Sequence, residues 1–255
     1  MDPTGFIDTH CHLYDTRGVP VEDVIAAARA AGVTTMINVG CDRATTAQAI
    51  AIAAQHDDIY ATAGLHPHEA RFGVDTITEF LDDPNVIAVG ECGLDYFYDH
   101  SPRDDQRTAF AAQIQLAHER RLPLVIHTRD AWDDTFDVLR AEGVPERTIF
   151  HCFTGGPEEA SRCLDLGAFL SFSGIVTFRT ATELQAAARA CPAQRILAET
   201  DSPYLAPIPH RGRTNQPAFV GHVVQFLADL RDEPLSQLTA TIAENACLAF
   251  PALRP

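Results

Sequence analysis

Two histidines spaced by one residue, His10 and His12, close the short apolar segment Phe6-Ile7-Asp8-Thr9-His10-Cys11-His12. In an extended chain, residues i and i+2 point to the same side, so both imidazoles share a face and Cys11 takes the other. Two imidazoles from one strand end are a natural first pair of metal ligands. Taken alone, such a pair is equally a pair of hydrogen-bonded polar side chains. The pattern recurs, however. Glu91 follows Val86-Ile87-Ala88-Val89-Gly90, His127 ends Leu124-Val125-Ile126, His151 ends Thr148-Ile149-Phe150, and Asp201 follows Ile196-Leu197-Ala198-Glu199-Thr200. Four imidazoles and two carboxylates are too many for one tetrahedral ion. Two ions about 3.5–4 Å apart, bridged by one carboxylate, fit that count. Burying all six groups with no cation would be costly.

These residues need a frame that brings strand ends together. Short strand-like apolar segments alternate along the chain with longer Ala- and Leu-rich segments of helical spacing. The strand candidates are Phe6–Asp8, Thr35–Val39, Ile59–Ala63, Val86–Gly90, Leu124–His127, Thr148–His151, Ala168–Phe172 and Ile196–Glu199. Helices are expected near Val21–Ala31, Ala44–Gln55, Ile77–Leu81, Asp104–Arg120, Trp132–Ala141, Glu158–Leu166, Thr182–Ala190, Ala218–Leu230 and Leu235–Phe250. Eight strands alternating with helices predict an α/β fold, a (β/α)8 TIM barrel formed by residues 1–255 as one domain, with the proposed ligands on the C-terminal rim of its strands. An open doubly wound sheet is the runner-up. It would want a Gly-rich phosphate turn after the first strand, where His10-Cys11-His12 stands.

Composition removes other chemistries. The 255 residues carry a formal charge of −16, and all 19 basic side chains are arginine. With no lysine there is no Schiff base and no Walker A lysine. A broad basic face for nucleic acid is excluded, so a polyanionic substrate would have to be drawn by metal or by a local arginine cluster. No apolar run reaches the roughly 18 residues of a membrane span. The acidic start Met1-Asp2-Pro3-Thr4-Gly5 does not read as a signal peptide. Seven cysteines without a CxxC pair read as reduced thiols of a cytoplasmic protein.

Six segments, in order, carry a family resemblance. They are Phe6–Leu13, Gly64-Leu65-His66-Pro67-His68, Gly90-Glu91-Cys92-Gly93-Leu94-Asp95-Tyr96, Pro123–Ala131, His151-Cys152-Phe153-Thr154-Gly155 and Glu199-Thr200-Asp201-Ser202-Pro203-Tyr204-Leu205. Together they resemble the TatD-type metal-dependent deoxyribonucleases over essentially the whole chain. The resemblance implies an amidohydrolase-type barrel with a two-metal centre. It implies that His10, His12 and Asp201 hold one ion, that His127 and His151 hold the other, and that Glu91 bridges. Many similar barrels bridge with a carbamylated lysine, whereas here Glu91 supplies the anion unmodified. The chain departs from the family's usual Asn-Glu-Pro at Asn215-Gln216-Pro217, and has Arg213 where lysine is common.

The chemistry expected of such a centre is hydrolysis of a phosphodiester by metal-activated hydroxide, most simply 3′-5′ exonuclease action on single-stranded or damaged DNA ends, with RNA as a further substrate. Asp201 would take a proton from the attacking water as well as bind metal. His66 would hydrogen-bond the scissile phosphate or the leaving oxygen, against the simpler reading that it packs beside Pro67. His68 reads as peripheral. Arg129 and Arg213 are the preferred phosphate contacts, ahead of Arg179 and Arg211, which read equally well as solvated surface. Asp95 and Glu199 are expected to support the ligands from behind. Cys11, Cys92 and Cys152 should face the barrel–helix interface as inert packing. His56, His118 and His222 read as helix surface. The four histidines favour zinc or manganese by ligand type, while phosphoryl chemistry often runs on magnesium. A monomer is expected. The same centre would also attack a carbonyl, which makes an aminoacyl-tRNA deacylase or lactonase the alternative. A non-catalytic, metal-stabilised binding barrel is a third reading.

Overall fold

The computed structural model describes residues 5–253, so the acidic start at residues 1–4 lies outside the described residues. Most apolar or amphipathic runs become the element their period dictates. The strands are β1 (Phe6–Cys11), β2 (Val33–Val39), β3 (Ile59–Ala63), β4 (Val86–Asp95), β5 (Leu124–Arg129), β6 (Thr148–Phe150), β7 (Phe169–Phe172) and β8 (Ile196–Ala198). The helices are α1 (Val21–Ala30), α2 (Arg43–Ala53), α3 (Asp75–Thr78), α4 (Arg103–Arg120), α5 (Trp132–Glu142), α6 (Pro157–Asp165), α7 (Thr182–Ala190), α8 (Val220–Arg231) and α9 (Leu235–Ala249). The eight strands form one sheet in chain order. Residue Cys11 of β1 makes a parallel bridge to Ser202, just beyond β8. This is the (β/α)8 barrel, and the open doubly wound order is not found.

Two expectations change in detail. The helix expected at Ile77–Leu81 is only the four-residue α3 followed by a 3-10 turn at Glu79–Asp82. Pro84 disfavours a helical residue before it, and Asp83 is accordingly extended (φ −73°, ψ 133°). Strands β6 and β8 also stop short, before His151 and Glu199. Beyond them Cys152 and Asp201 take left-handed backbone, with φ of 40° and 55°. These side chains therefore stand on turning chain, where strand alternation no longer tells their direction.

The chain divides into two compact units, one of residues 1–37 and 151–255, the other of residues 38–150. In the first, buried Asp8 ties the end of β1 to the chain after β8. Its carboxylate accepts from Thr200 N at 2.8 Å and Thr200 Oγ1 at 2.6 Å. Thr9 Oγ1 donates to Ala198 O at 3.0 Å, and Asp201 N donates to His10 O at 2.9 Å. Asn245 on α9 donates to Ala193 O and Ile196 O, holding the entry to β8.

In the second unit, two glutamines seven residues apart lie two turns apart on one face of α4 and clamp the loop after β3 and the end of β4. Gln113 accepts from Leu65 N at 2.8 Å and donates to Leu65 O at 3.0 Å. Gln106 does the same for Asp95, accepting from its N at 2.8 Å and donating to its O at 3.1 Å. Strand β4 is longer than its apolar run because Gly90 and Gly93 take φ of +141° and +127°, conformations open to glycine. A Cβ on Gly93 would stand 2.1 Å from His127 O. Gly93→Ala should therefore cost more than about 1 kcal/mol, lowering Tm by at least about 2–4 °C, as calorimetry would record. An unchanged Tm would show that β4 and β5 can separate at no cost.

Candidate metal centre

The first unit gathers three of the proposed imidazoles and one carboxylate. Asp201 Oδ1 stands 3.4 Å from His12 Nε2 and 3.9 Å from His10 Nε2. The His10 ring stacks on that of His151, centroids 3.8 Å apart. Ligand atoms from His10, His151 and Asp201 all lie within 4.8 Å of one another, close enough to share an ion. Burial works against the charged form of Asp201. The bond from His12 and the nearby rings of His151 and His10 outweigh it and hold the carboxyl below its ordinary range.

Behind this group stands Glu199, fully buried. Its Oε1 accepts from Cys152 N at 2.7 Å and meets His151 Nδ1 at 3.2 Å. A proton on Nδ1 directs the other nitrogen's lone pair outward, the arrangement metal-binding histidines use. Oε2 of Glu199 is buried with no hydrogen-bond partner among the described residues. An orphaned carboxylate oxygen beside clustered imidazoles is costly unless a cation offsets it. The donor set thus fits a divalent ion. Asp8 lies below the same strand ends. Burial pushes its carboxyl up to about 8 despite the two bonds from Thr200.

The second unit gathers His66, Glu91 and His127, with ligand atoms again within 4.8 Å of one another. Glu91 Oε1 stands 3.0 Å from His127 Nδ1 and 3.4 Å from His66 Nε2. Asp95 Oδ2 meets the opposite side of the same ring, 3.2 Å from His127 Nε2. A neutral imidazole donates through one nitrogen only. A carboxylate on each side of His127 is therefore matched either by a second proton or by a cation between Nδ1 and Glu91. Burial opposes the charge on Asp95. Bonds from His127, His68 and Tyr98 N overcome it and hold the carboxyl well below the usual range. Asp95→Ala should release His127 and weaken metal binding by about 10–100-fold, measured by titration calorimetry. Undiminished affinity would remove Asp95 from any orienting role.

His66 plays a different part from its neighbours. Its Nδ1 accepts from His68 N at 3.1 Å, which leaves the proton of the neutral ring on Nε2. Burial pushes its pKa down to about 4, against the pull of Glu91. The ring is therefore a neutral hydrogen-bond donor directed toward Glu91. His68 leans on Asp95 at 3.1 Å.

Other expected residues fall where their surroundings dictate. Arg129 is half-buried, its guanidinium over the ring of Phe97 at 4.0 Å. Arg213 and Arg179 are exposed, and Arg211 lies over Phe178 at 4.3 Å. A cleft beside His12 is lined by Asp15, Thr16, Ser202, Asn215 and Gln216. The departure from the family pattern at Gln216 therefore faces open space next to a candidate ligand. Cys11 and Cys92 are buried, and burial pushes both thiols well up. Cys152 departs from the packing expectation. It is only half-buried, its Sγ 3.2 Å from Ser173 Oγ, because β6 has already ended. His118 and His222 are exposed and His56 is half-buried. Three residues escaped the sequence reading: Asp8, Tyr14, whose hydroxyl meets His12 Nδ1 at 2.8 Å, and Cys41, whose Sγ donates to Glu91 Oε2 at 3.6 Å. Asp8 shares the i, i+2 face of His10 and His12, and that spacing was the available signal.

Comparison with known proteins shows the family. The family model described as TatD related DNase matches residues 7–251. The chain is 40% identical over 252 residues to a Bacillus subtilis protein called uncharacterized metal-dependent hydrolase YabD, covering 95% of this chain and 98% of that one. It is 36% identical over 240 residues to the Klebsiella pneumoniae 3′-5′ ssDNA/RNA exonuclease TatD, covering 90% and 91% of the two. Among solved structures it is similar to YjjV, a TatD homologue from Escherichia coli, with TM-score 0.91 and 29% identity over 98% of this chain and 99% of that one. With imidazole and carboxylate groups fit for cations on the strand ends of a (β/α)8 barrel, the chain belongs to the TatD-related DNase family and is a metal-dependent hydrolase.

Proposed function

We propose that this enzyme cleaves phosphodiester bonds, removing nucleotides from the 3′ ends of single-stranded or damaged DNA and also of RNA, with two divalent ions of zinc, manganese or magnesium. His10, His12 and Asp201 would hold one ion and His127 and His151 the other, with Glu91 as the bridging carboxylate, the role its place in the sequence pattern implies. When bound, such ions offset phosphoryl charge and lower the pKa of a water molecule. The residues do the rest. Asp201, kept ionised by its imidazole neighbours, accepts the water's proton. His66, neutral with its proton on Nε2, donates to a phosphate or leaving oxygen. Arg129 and Arg213 supply fixed positive charge.

The observation that carries this reading is the pair of imidazole–carboxylate groups, each backed by an orienting carboxylate, Glu199 on His151 and Asp95 on His127. The choice of nucleic acid as substrate is supported by the 36% identical relative named as a 3′-5′ ssDNA/RNA exonuclease. No helix among the described residues is long and apolar enough to cross a membrane. With no disulfide among its seven cysteines, the protein is read as a single-domain monomer of the reducing cytoplasm.

The deciding experiment assays metal-loaded enzyme in parallel on a 3′-ended single-stranded oligonucleotide and on ester, lactone and aminoacyl substrates. Mononucleotide release from the 3′ end is the expected result. Turnover confined to carbonyl substrates would overturn the phosphodiesterase reading.

A further inference from the structure

The turn leaving β4 carries two adjacent aromatic rings into solvent, with Phe97 56% and Tyr98 50% exposed. A single exposed apolar side chain is ordinary. Here the two are held in a frame bolted to the candidate site. Asp95 Oδ1 accepts from Phe97 N and from Tyr98 N, both at 3.0 Å. Its other oxygen meets His127 Nε2 at 3.2 Å. Tyr96 N donates to Arg129 O at 2.9 Å, tying the start of the turn to the end of β5.

Side-chain packing fixes the rings. The guanidinium of Arg129 lies 4.0 Å from the Phe97 centroid and 4.8 Å from that of Tyr98. Tyr98 stacks with His100, centroids 5.4 Å apart and planes within 7°. Phe97 stands edge-on to Tyr98 at 4.8 Å and 89°. Tyr98 is thus braced by Arg129 and His100, while Phe97 keeps more than half its surface open. An aromatic ring this exposed, yet held by a cation and a second ring, has been ordered before any ligand arrives.

We propose that Phe97, braced by Arg129 and Tyr98, is a stacking platform for a nucleobase of a single-stranded nucleic acid. This subsite rests on the phosphodiesterase reading above. The charge balance favours it. A chain of net charge −16 cannot collect a polyanion with a broad basic surface. Base stacking supplies affinity without net charge and tolerates any base, since every base has a π-face. Arg129 sets one positive charge beside the ring, where it both polarises Phe97 and faces the phosphates that accompany a stacked base. Bases in a duplex are already stacked on one another, so the platform selects unpaired strands.

The test uses the metal-loaded enzyme and two oligonucleotides of equal length, one ordinary and one abasic at its last three 3′ positions. Wild type should favour the ordinary strand in kcat/KM by about tenfold or more, the scale of stacking one base. Phe97→Ala and Phe97→Leu should bring that ratio toward unity, chiefly by raising KM for the ordinary strand. Leucine keeps the apolar bulk and loses only the ring. Phe97→Trp should preserve or increase the ratio. Because Phe97 is exposed, all three variants should fold, as circular dichroism would verify. A wild-type ratio that survives in both Phe97→Ala and Phe97→Leu overturns the platform and leaves the phosphodiesterase reading standing. Failure of wild type to cut either strand while it hydrolyses an ester or lactone overturns both.

Discussion

Glu91→Ala is expected to lower kcat/KM for the oligonucleotide by about 10³-fold or more, since several kcal/mol of charge stabilisation are lost at about 1.4 kcal/mol per factor of ten. The carboxylate is 4% exposed, with His127 at 3.0 Å, His66 at 3.4 Å and Cys41 at 3.6 Å. Removing it takes away the anion that faces both His127 and His66. His127 would keep Asp95 but lose the carboxylate on its Nδ1 side, and His66 would lose the acceptor toward which its proton points. Glu91→Gln separates charge from packing. The amide fills the same space but brings no negative charge, so it should lose nearly as much activity while matching the wild-type Tm when both proteins are stripped of metal. Kinetics paired with measurement of bound metal by plasma mass spectrometry would check both variants. An active Glu91→Gln enzyme would mean that the anionic charge at this position is not needed.

Metal removal has the second large effect. Stripping the enzyme with a chelator should reduce hydrolysis to background, and adding back a divalent ion should restore it. Stability should change in parallel. The buried carboxylates Asp201 and Glu199, the second with an oxygen lacking any partner among the described residues, sit among imidazoles where a cation offsets their charge. At about 100 times its Kd an ion adds about 2.7 kcal/mol to the folded state, which for a chain of this size is a Tm difference of about 5–10 °C. Scanning calorimetry of stripped and reloaded protein reads this directly. Full activity in protein shown to be free of metal would remove the metal from the mechanism. An unchanged Tm with lost activity would instead mean weak binding, with Kd near the working concentration.

The spacing of chemistry-bearing residues was legible because strand periodicity is simple. His10 and His12 fall on one face by alternation alone, and Cys11, on the other face, is buried with its Sγ on Ile37 O at 3.4 Å. The elements themselves were equally legible. Strand β3 and helix α7 occupy the segments their apolar patterns mark, Ile59–Ala63 and Thr182–Ala190. Alternation misleads where a strand stops. Cys152 was placed by carrying strand alternation past Phe150, where β6 ends, and the left-handed backbone at that residue is a tertiary outcome no local pattern encodes. The extension of β4 to Asp95 was hidden for a related reason. Gly90 and Gly93 look like breakers in sequence, yet they continue the strand because neighbouring backbone comes too close for a side chain.

By itself the sequence determined which residue types are present to do chemistry, and that they recur at strand ends. It ruled out any lysine chemistry, since all 19 basic side chains are arginine. Tertiary structure decided what each group is paired with. His151 stacks on His10 and leans on Glu199, while His127 stands between Glu91 and Asp95. Asp8 became a strap holding Thr200, 192 residues away. Periodicity sets the direction of a side chain relative to its own strand. Its partners, its protonation and its exposure depend on residues far off in the chain, which only folding brings within hydrogen-bond reach.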